Sequence, residues 1–345
     1  MMKLKIVAAS VGLIVLYMAG CGGTSAPDLD AVVSDNFEVT DIAEELPADP
    51  SVPGLNTFIK GTASISVDVD GVVKNIAITT FTPDGAGPVP LVIFNHGFSL
   101  EPLGYFKTAE YLASWGMIVV MPQLPGSAFT PVSHRAQAEY LRAVLDWAVG
   151  DANAAGGLLA GRVDSEHIGI TGHSLGGKLS FLLTSMDDRI DAVFGIDPVD
   201  AGPPGGGDAI DWPSVTPEKM NLITVPMVAL GANADGGLSD ALACSPGDNN
   251  YIQYYAAAVS PIVKIEIVGG DHLSFLDECD ELCSSFCRPG TDDPAVTRAL
   301  TQKYLVAFFR QHLFGEAGYR SFLAGRQMAL DAAQNLVIAE SKNGY

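Results

Sequence analysis

From about residue 65 onward, apolar positions fall into two rhythms. Residues 65–69 and 74–83 alternate apolar with polar positions, and Asp70-Gly71-Val72 between them predicts the turn of a β-hairpin. Residues 90–97 and 116–123 are instead almost continuously apolar, as are 167–171, 191–197, 225–231 and 263–270. Such runs predict strands covered on both faces, the situation inside a parallel sheet. Between them the period lengthens. Residues 135–149 place Tyr140, Leu141, Val144, Leu145, Trp147 and Ala148 on a wide apolar helical face. Further helices are expected at 106–115, 178–186, 296–313 and 318–339. Strands alternating with helices after an antiparallel start predict a doubly wound α/β domain, a mostly parallel sheet of about eight strands with helices on both faces.

The first 55 residues follow neither rhythm. Lys3 and Lys5 precede an apolar run over residues 6–19, shorter than the ~20 residues a spanning helix requires and suited to an export signal. Ala19-Gly20 then stands before Cys21, as in a bacterial lipobox, although Met18 occupies a place where Leu is usual. The expectation is a signal over 1–20, lipidation at Cys21, a tether rich in Pro, Gly, Ser, Asp and Glu over 21–55, and a folded domain over 56–345. That implies a bacterial cell-envelope protein held to a membrane by a lipid anchor. The other four cysteines, Cys244, Cys279, Cys283 and Cys287, allow two disulfides in three connectivities, with zinc as the competing use. Of the 345 residues, 40 are Asp or Glu and 19 Lys or Arg, a formal charge of −21 that makes nucleic acid an improbable partner. The 17% charged share, against ~25% in ordinary domains, excludes a disordered polyelectrolyte, and the 37 glycines and 21 prolines suit a fold with many tight turns.

One motif carries chemistry. Gly172-His173-Ser174-Leu175-Gly176 joins a buried strand to a helix, the G-x-S-x-G pattern of a nucleophile elbow rather than a plain Gly-rich turn. A serine hydroxyl is a weak nucleophile and requires a base. Six histidines are available. His96 lies in a turn, His173 within the elbow, and His134 and His167 precede the serine. His312 ends a helix, where it is expected to meet the last carbonyls. His272, after the last of the predicted parallel strands, fits the Ser–acid–His order of α/β-hydrolases. Asp197, Asp235 and Asp200 all lie at or beyond strand ends as candidates for the acid. Two backbone N–H groups are needed for an oxyanion, and those of Leu175 and Phe98 occupy the expected places. No metal or organic cofactor is called for.

Several blocks resemble the chlorophyllase family of α/β-hydrolases and, more distantly, platelet-activating-factor acetylhydrolases and bacterial polyester hydrolases. They are VIFNHGFSLEPLGYFKTAEYLASWGMIVVMPQL, GHSLGGKLSF with FGIDPVD, ACSPGDNNYIQYY and GGDHLSFLD, within residues 60–312. The resemblance implies that Asp197 of the DPV block is the acid, in preference to Asp235. It also implies hydrolysis of a small-molecule or lipid-like carboxylic ester. Chlorophyllases usually carry Arg after the serine where this chain has Leu175, so the likeness bears on the machinery more than on the substrate. Phe98, Leu100 and Leu175 suggest an apolar substrate group. An acyltransferase on the same residues, or a binding protein that has kept the fold without catalysis, are the alternatives.

Overall fold

The computed structural model describes residues 46–345 apart from 128, 204, 205, 280–282 and 284. The expected signal, Cys21 and most of the tether lie outside the described residues.

The hairpin forms as β1 (Phe58–Val69) and β2 (Val72–Pro83), joined by Asp70 and Gly71, both with positive φ, the conformation that suits a two-residue hairpin loop. β3 (Val89–Asn95), β4 (Ile118–Pro122), β5 (Val163–His173), β6 (Ala192–Ile196), β7 (Met227–Ala232) and β8 (Ile262–Ile267) follow, and β9 (Val337–Lys342) closes the set. The sheet order is β1-β2-β4-β3-β5-β6-β7-β8-β9. The six strands from β4 to β8 in that order are parallel, while β1–β2, β2–β4 and β8–β9 are antiparallel. The mostly parallel sheet is thus flanked by antiparallel strands at both edges.

Helices cover both faces. Alternation along the strands sends Val92 and Phe94 of β3 into one apolar cluster and Leu91 and Ile93 into the other. The first cluster is covered by α1 (Phe106–Ser114), α5 (Pro294–Leu313) and the short α6 (Ser321–Ala324) and α7 (Arg326–Ala333). The second lies beneath α2 (His134–Val149), α3 (Leu175–Thr184) and α4 (Tyr251–Ala257). This is the architecture of the α/β-hydrolase fold, with nine strands in place of about eight.

The extra strand corrects the helix expected over 318–339. Gly325 breaks that helix in extended backbone, Asn335 turns the chain with a φ of 58°, and β9 then pairs antiparallel with β8 from Val337 to Lys342. Only half of this short edge strand is apolar, so its period-2 signal is weak. Residues 47–56, at the end of the expected tether, lie against α1. Tyr111 donates to the Pro50 carbonyl, Trp115 Nε1 to that of Val52, and the Gly54 N–H to Ser114 Oγ. The cysteines pair as Cys244–Cys287 and Cys279–Cys283. Linking positions 43 residues apart, the first is worth ~4 kcal/mol in the chain-entropy account.

Candidate active site

β3 and β5 are neighbours in the sheet, yet the chain leaves them in opposite directions along it, β3 toward β4 and β5 toward β6. That makes the crevice beyond their carboxyl ends the topological switch point, the usual site of an open α/β sheet. The motif serine sits there.

Ser174 has φ 56° and ψ −121°, a strained conformation for a residue with a side chain. It is held from both sides: its N–H donates to the Ile196 carbonyl at 2.9 Å, and its carbonyl accepts from Lys178 N at 3.1 Å and Val199 N at 3.3 Å. The flanking glycines are steric requirements. A Cβ on Gly176 would stand 2.3 Å from the Asn95 carbonyl oxygen, and one on Gly172 would stand 2.5 Å from the Gly176 backbone. The turn is this tight because β3, β5 and α3 converge on it.

His272 reaches the serine from beyond β8, with Nε2 2.9 Å from Ser174 Oγ. Its other nitrogen, Nδ1, lies 2.7 Å from Asp197 Oδ2. Asp197 follows β6 with φ 41°, and its second oxygen accepts from Ser245 Oγ at 2.9 Å. Burial pushes the Asp197 carboxyl above its ordinary range, Asp235 adds to the rise, and the bonds from His272 and Ser245 oppose it. Of the three candidate acids, Asp197 is the one brought to His272. Asp235 stands behind it, its carboxylate accepting from Ser245 N and facing Arg288. Asp200 forms a buried ion pair with Lys178 at 3.1 Å.

The remaining histidines take other places. His173 is fully buried, its Nδ1 2.7 Å from the Tyr105 hydroxyl and its ring 4.6 Å from that of His272. Burial holds His173 well below the ordinary range, so it stays neutral and does not oppose a charge on His272. His96 Nε2 accepts from Leu124 N at 3.0 Å and its Nδ1 donates to the Gly97 carbonyl at 2.8 Å, which ties the turn after β3 to the exit of β4. His134 packs on Trp212, and His167 meets Asp164 at the surface. His312 pairs with the Tyr345 hydroxyl at 3.1 Å, not with the helix-end carbonyls expected for it, because the chain end folds back under α5.

Leu175 opens α3, so its N–H belongs to the first helical turn, where no intrahelical partner exists. Phe98 lies in the turn after β3 with its side chain 42% exposed. The turn is braced from below by Tyr105, whose hydroxyl accepts from Gly97 N at 3.3 Å. Tyr105, Ser245 and Arg288 leave no mark in the sequence, because each meets the site across a long stretch of chain. Among the described residues, no group of three or more His, Cys, Asp and Glu side chains could hold a metal ion. Nor is any described helix long and apolar enough to cross a membrane.

A serine on a strand-to-helix turn, hydrogen-bonded to a histidine and through it to an aspartate, on a mostly parallel sheet wrapped by helices, defines the chain as an α/β-hydrolase-fold protein. The chlorophyllase family model matches residues 57–335. The chain is 26% identical over 306 residues to the protein named chlorophyllase-1, chloroplastic, of Citrus sinensis, covering 80% of this chain and 89% of that one. It is also 26% identical to chlorophyllase-1 of Arabidopsis thaliana, covering 84% and 88% of the two chains, and to chlorophyllase type 0 of Chenopodium album, covering 72% and 75%. This chain belongs to the chlorophyllase family.

Proposed function

We propose that this protein is a serine carboxylic ester hydrolase acting through an acyl-enzyme, with Ser174 as nucleophile, His272 as base and Asp197 as acid. The unbroken run of hydrogen bonds from Ser174 Oγ through His272 to Asp197, at 2.9 and 2.7 Å, carries the reading. Ser174 attacks the ester carbonyl while His272 Nε2 takes its proton, and Asp197 orients the ring and stabilises the imidazolium. The oxyanion is received by the N–H groups of Phe98 and Leu175, each such donor being worth ~3 kcal/mol to the transition state. His272 then returns its proton to the leaving alcohol, and water enters through the same base to release the acid. The relatives' name supports an ester as substrate, and the exposed apolar side chain of Phe98, in the turn after β3, supports an apolar group on it, whereas Leu175 packs its side chain into the core and offers only its N–H.

The N-terminal sequence supports export and anchoring at Cys21, with a lipid on its thiol holding the domain at a bacterial membrane. Cys21→Ser should then release the protein from the detergent phase, and unchanged partitioning would overturn the anchor.

The activity is tested with esters graded in acyl length and a fluorophosphonate probe. Ser174→Ala should abolish turnover with the fold intact, and the probe should label Ser174 alone. Labelling at another serine, or undiminished turnover in the variant, would overturn the assignment.

A further inference from the structure

We infer that Ser245 is a positioning residue for Asp197, and that Asp235, Arg288 and Asn250 exist around it to hold its hydroxyl in place. The inference rests on the Ser174–His272–Asp197 reading above and adds residues that reading does not use.

The need arises from the carboxylate itself. The terminal torsion of an aspartate is broad, so one hydrogen bond to His272 leaves the carboxylate plane poorly fixed. Asp197 binds His272 through Oδ2 and Ser245 Oγ through Oδ1, and the two bonds together pin the plane. The backbone is already set, since Asp197 N donates to the Leu230 carbonyl at 2.6 Å.

Ser245 is in turn held at both backbone ends. It is fully buried. Its N–H donates to Asp235 Oδ2 at 2.8 Å, and its carbonyl accepts from Asn250 Nδ2 at 2.9 Å. Only its side-chain torsion is left free, and the Asp197 oxygen selects it. Asp235 is 4% exposed, and its other oxygen lies 3.4 Å from Arg288 Nε. Arg288 also reaches Asp240 through Nη2, and its N–H donates to the Leu242 carbonyl at 2.9 Å. Cys244 and Cys287, which immediately precede Ser245 and Arg288, are bonded to each other.

The same strap serves the base. Gly290 N donates to Asp271 Oδ2 at 2.9 Å, while Asp271 Oδ1 accepts from Leu273 N and Ser274 N, closing the turn that presents His272. Residues 287–290 therefore brace the support of the acid and the turn of the base at once. Four polar side chains, Asp197, Asp235, Ser245 and Asn250, buried for packing alone would be a poor solution, since apolar side chains fill such space at less cost. Fixing a carboxylate plane is a task that requires them.

The test uses the full chain and three variants. Ser245→Ala should lower kcat on an activated ester about 10- to 100-fold, the loss of one charge-assisted hydrogen bond, with KM unchanged. The rate at which a fluorophosphonate labels Ser174 should fall by the same factor. Asp235→Asn, which keeps an acceptor for Ser245 N–H, should lose less than Asp235→Ala, and this pair carries the test if Ser245→Ala fails to fold. Wild-type labelling rates in Ser245→Ala would refute the positioning role while leaving the ester-hydrolase reading intact. So would a change in KM alone, or equal losses in the two Asp235 variants. Absence of Ser174 labelling in the unaltered chain would instead overturn the reading on which the inference rests.

Discussion

Lys178→Met should destabilise the protein by about 3 kcal/mol, and Asp200→Ala by about 5 kcal/mol, the range found when one partner of a buried ion pair is removed. Both side chains are 1% exposed and 3.1 Å apart. They differ in what each leaves behind. Without Lys178, the Asp200 carboxylate still accepts from Ser214 Oγ, from Val215 N, and from Thr216 N and Oγ1, which solvate its charge. Methionine also keeps the bulk of the stem, so the cost falls at the low end. Without Asp200, Val215 N and Thr216 N and Oγ1 lose their acceptor, Ser214 Oγ keeps only the Thr216 carbonyl, and the ammonium retains the Ala201 carbonyl at 3.1 Å. Burial already lowers the Lys178 pKa, and Asp200 is the group that raises it. Removing Asp200 therefore lowers it further below the ~10.4 of the unfolded chain. Between the two values the unfolded state binds more protons than the native state, so the stability of Asp200→Ala should rise with pH. Urea unfolding at pH 7 and pH 9 measures both effects. In thermal unfolding, about 3 kcal/mol corresponds to ~5 °C in Tm for a domain of this size. The double variant should lose less than the two singles together. Single variants within about 0.5 kcal/mol of wild type, the range of ordinary surface changes, would refute the reasoning. An Asp200→Ala protein that gains nothing at high pH would refute the electrostatic part alone.

Three other outcomes are expected. Asp197→Asn should lower kcat about 10⁴-fold with the fold kept, as for triad acids elsewhere, and a loss below tenfold in kcat/KM would reject Asp197 as the acid. Gly176→Ala should prevent the elbow from forming, because its Cβ would stand 2.3 Å from the Asn95 carbonyl oxygen; a soluble variant with normal Ser174 labelling would contradict the steric account. Burial pushes His134 down to about 3 and His312 down to about 4, from the ordinary 6.5. Their contribution to stability is therefore present above pH ~6.5 and is lost as the pH falls toward those values. His312→Gln should flatten Tm against pH between 6.5 and 4, and an unchanged slope would refute this.

The parts of the site that lie within one stretch of chain were legible in the sequence. Ser174 was readable because its turn needs glycines at 172 and 176 on either side, a demand that leaves a local signature. His272 followed from chain order, and Asp197 from the DPV block, whereas spacing alone left Asp235 and Asp200 open. Those two carboxylates could be separated from Asp197 only by their partners, Arg288 and Lys178, which lie 53 and 22 residues away in the chain. Ser245, 48 residues from Asp197, left no pattern for the same reason. The C-terminal misreading was of another kind. Residues 318–339 are rich in helix-forming residues and are helical as far as Ala333, with a break at Gly325; only from Val337 does the edge of β8 override that local preference by offering β9 a backbone partner.

The contacts of residues 47–56 with α1 have a mechanical consequence. A pull on the chain from its N-terminal side meets Tyr111, Ser114 and Trp115 before it meets β1. Those bonds would take up strain before the twelve paired positions of β1 and β2 are loaded. The loops that carry Ser174, Asp197 and His272 leave β5, β6 and β8, on the far side of β4 and β3 from that hairpin. Tension entering by this route would load the edge of the sheet first, away from the serine, histidine and aspartate.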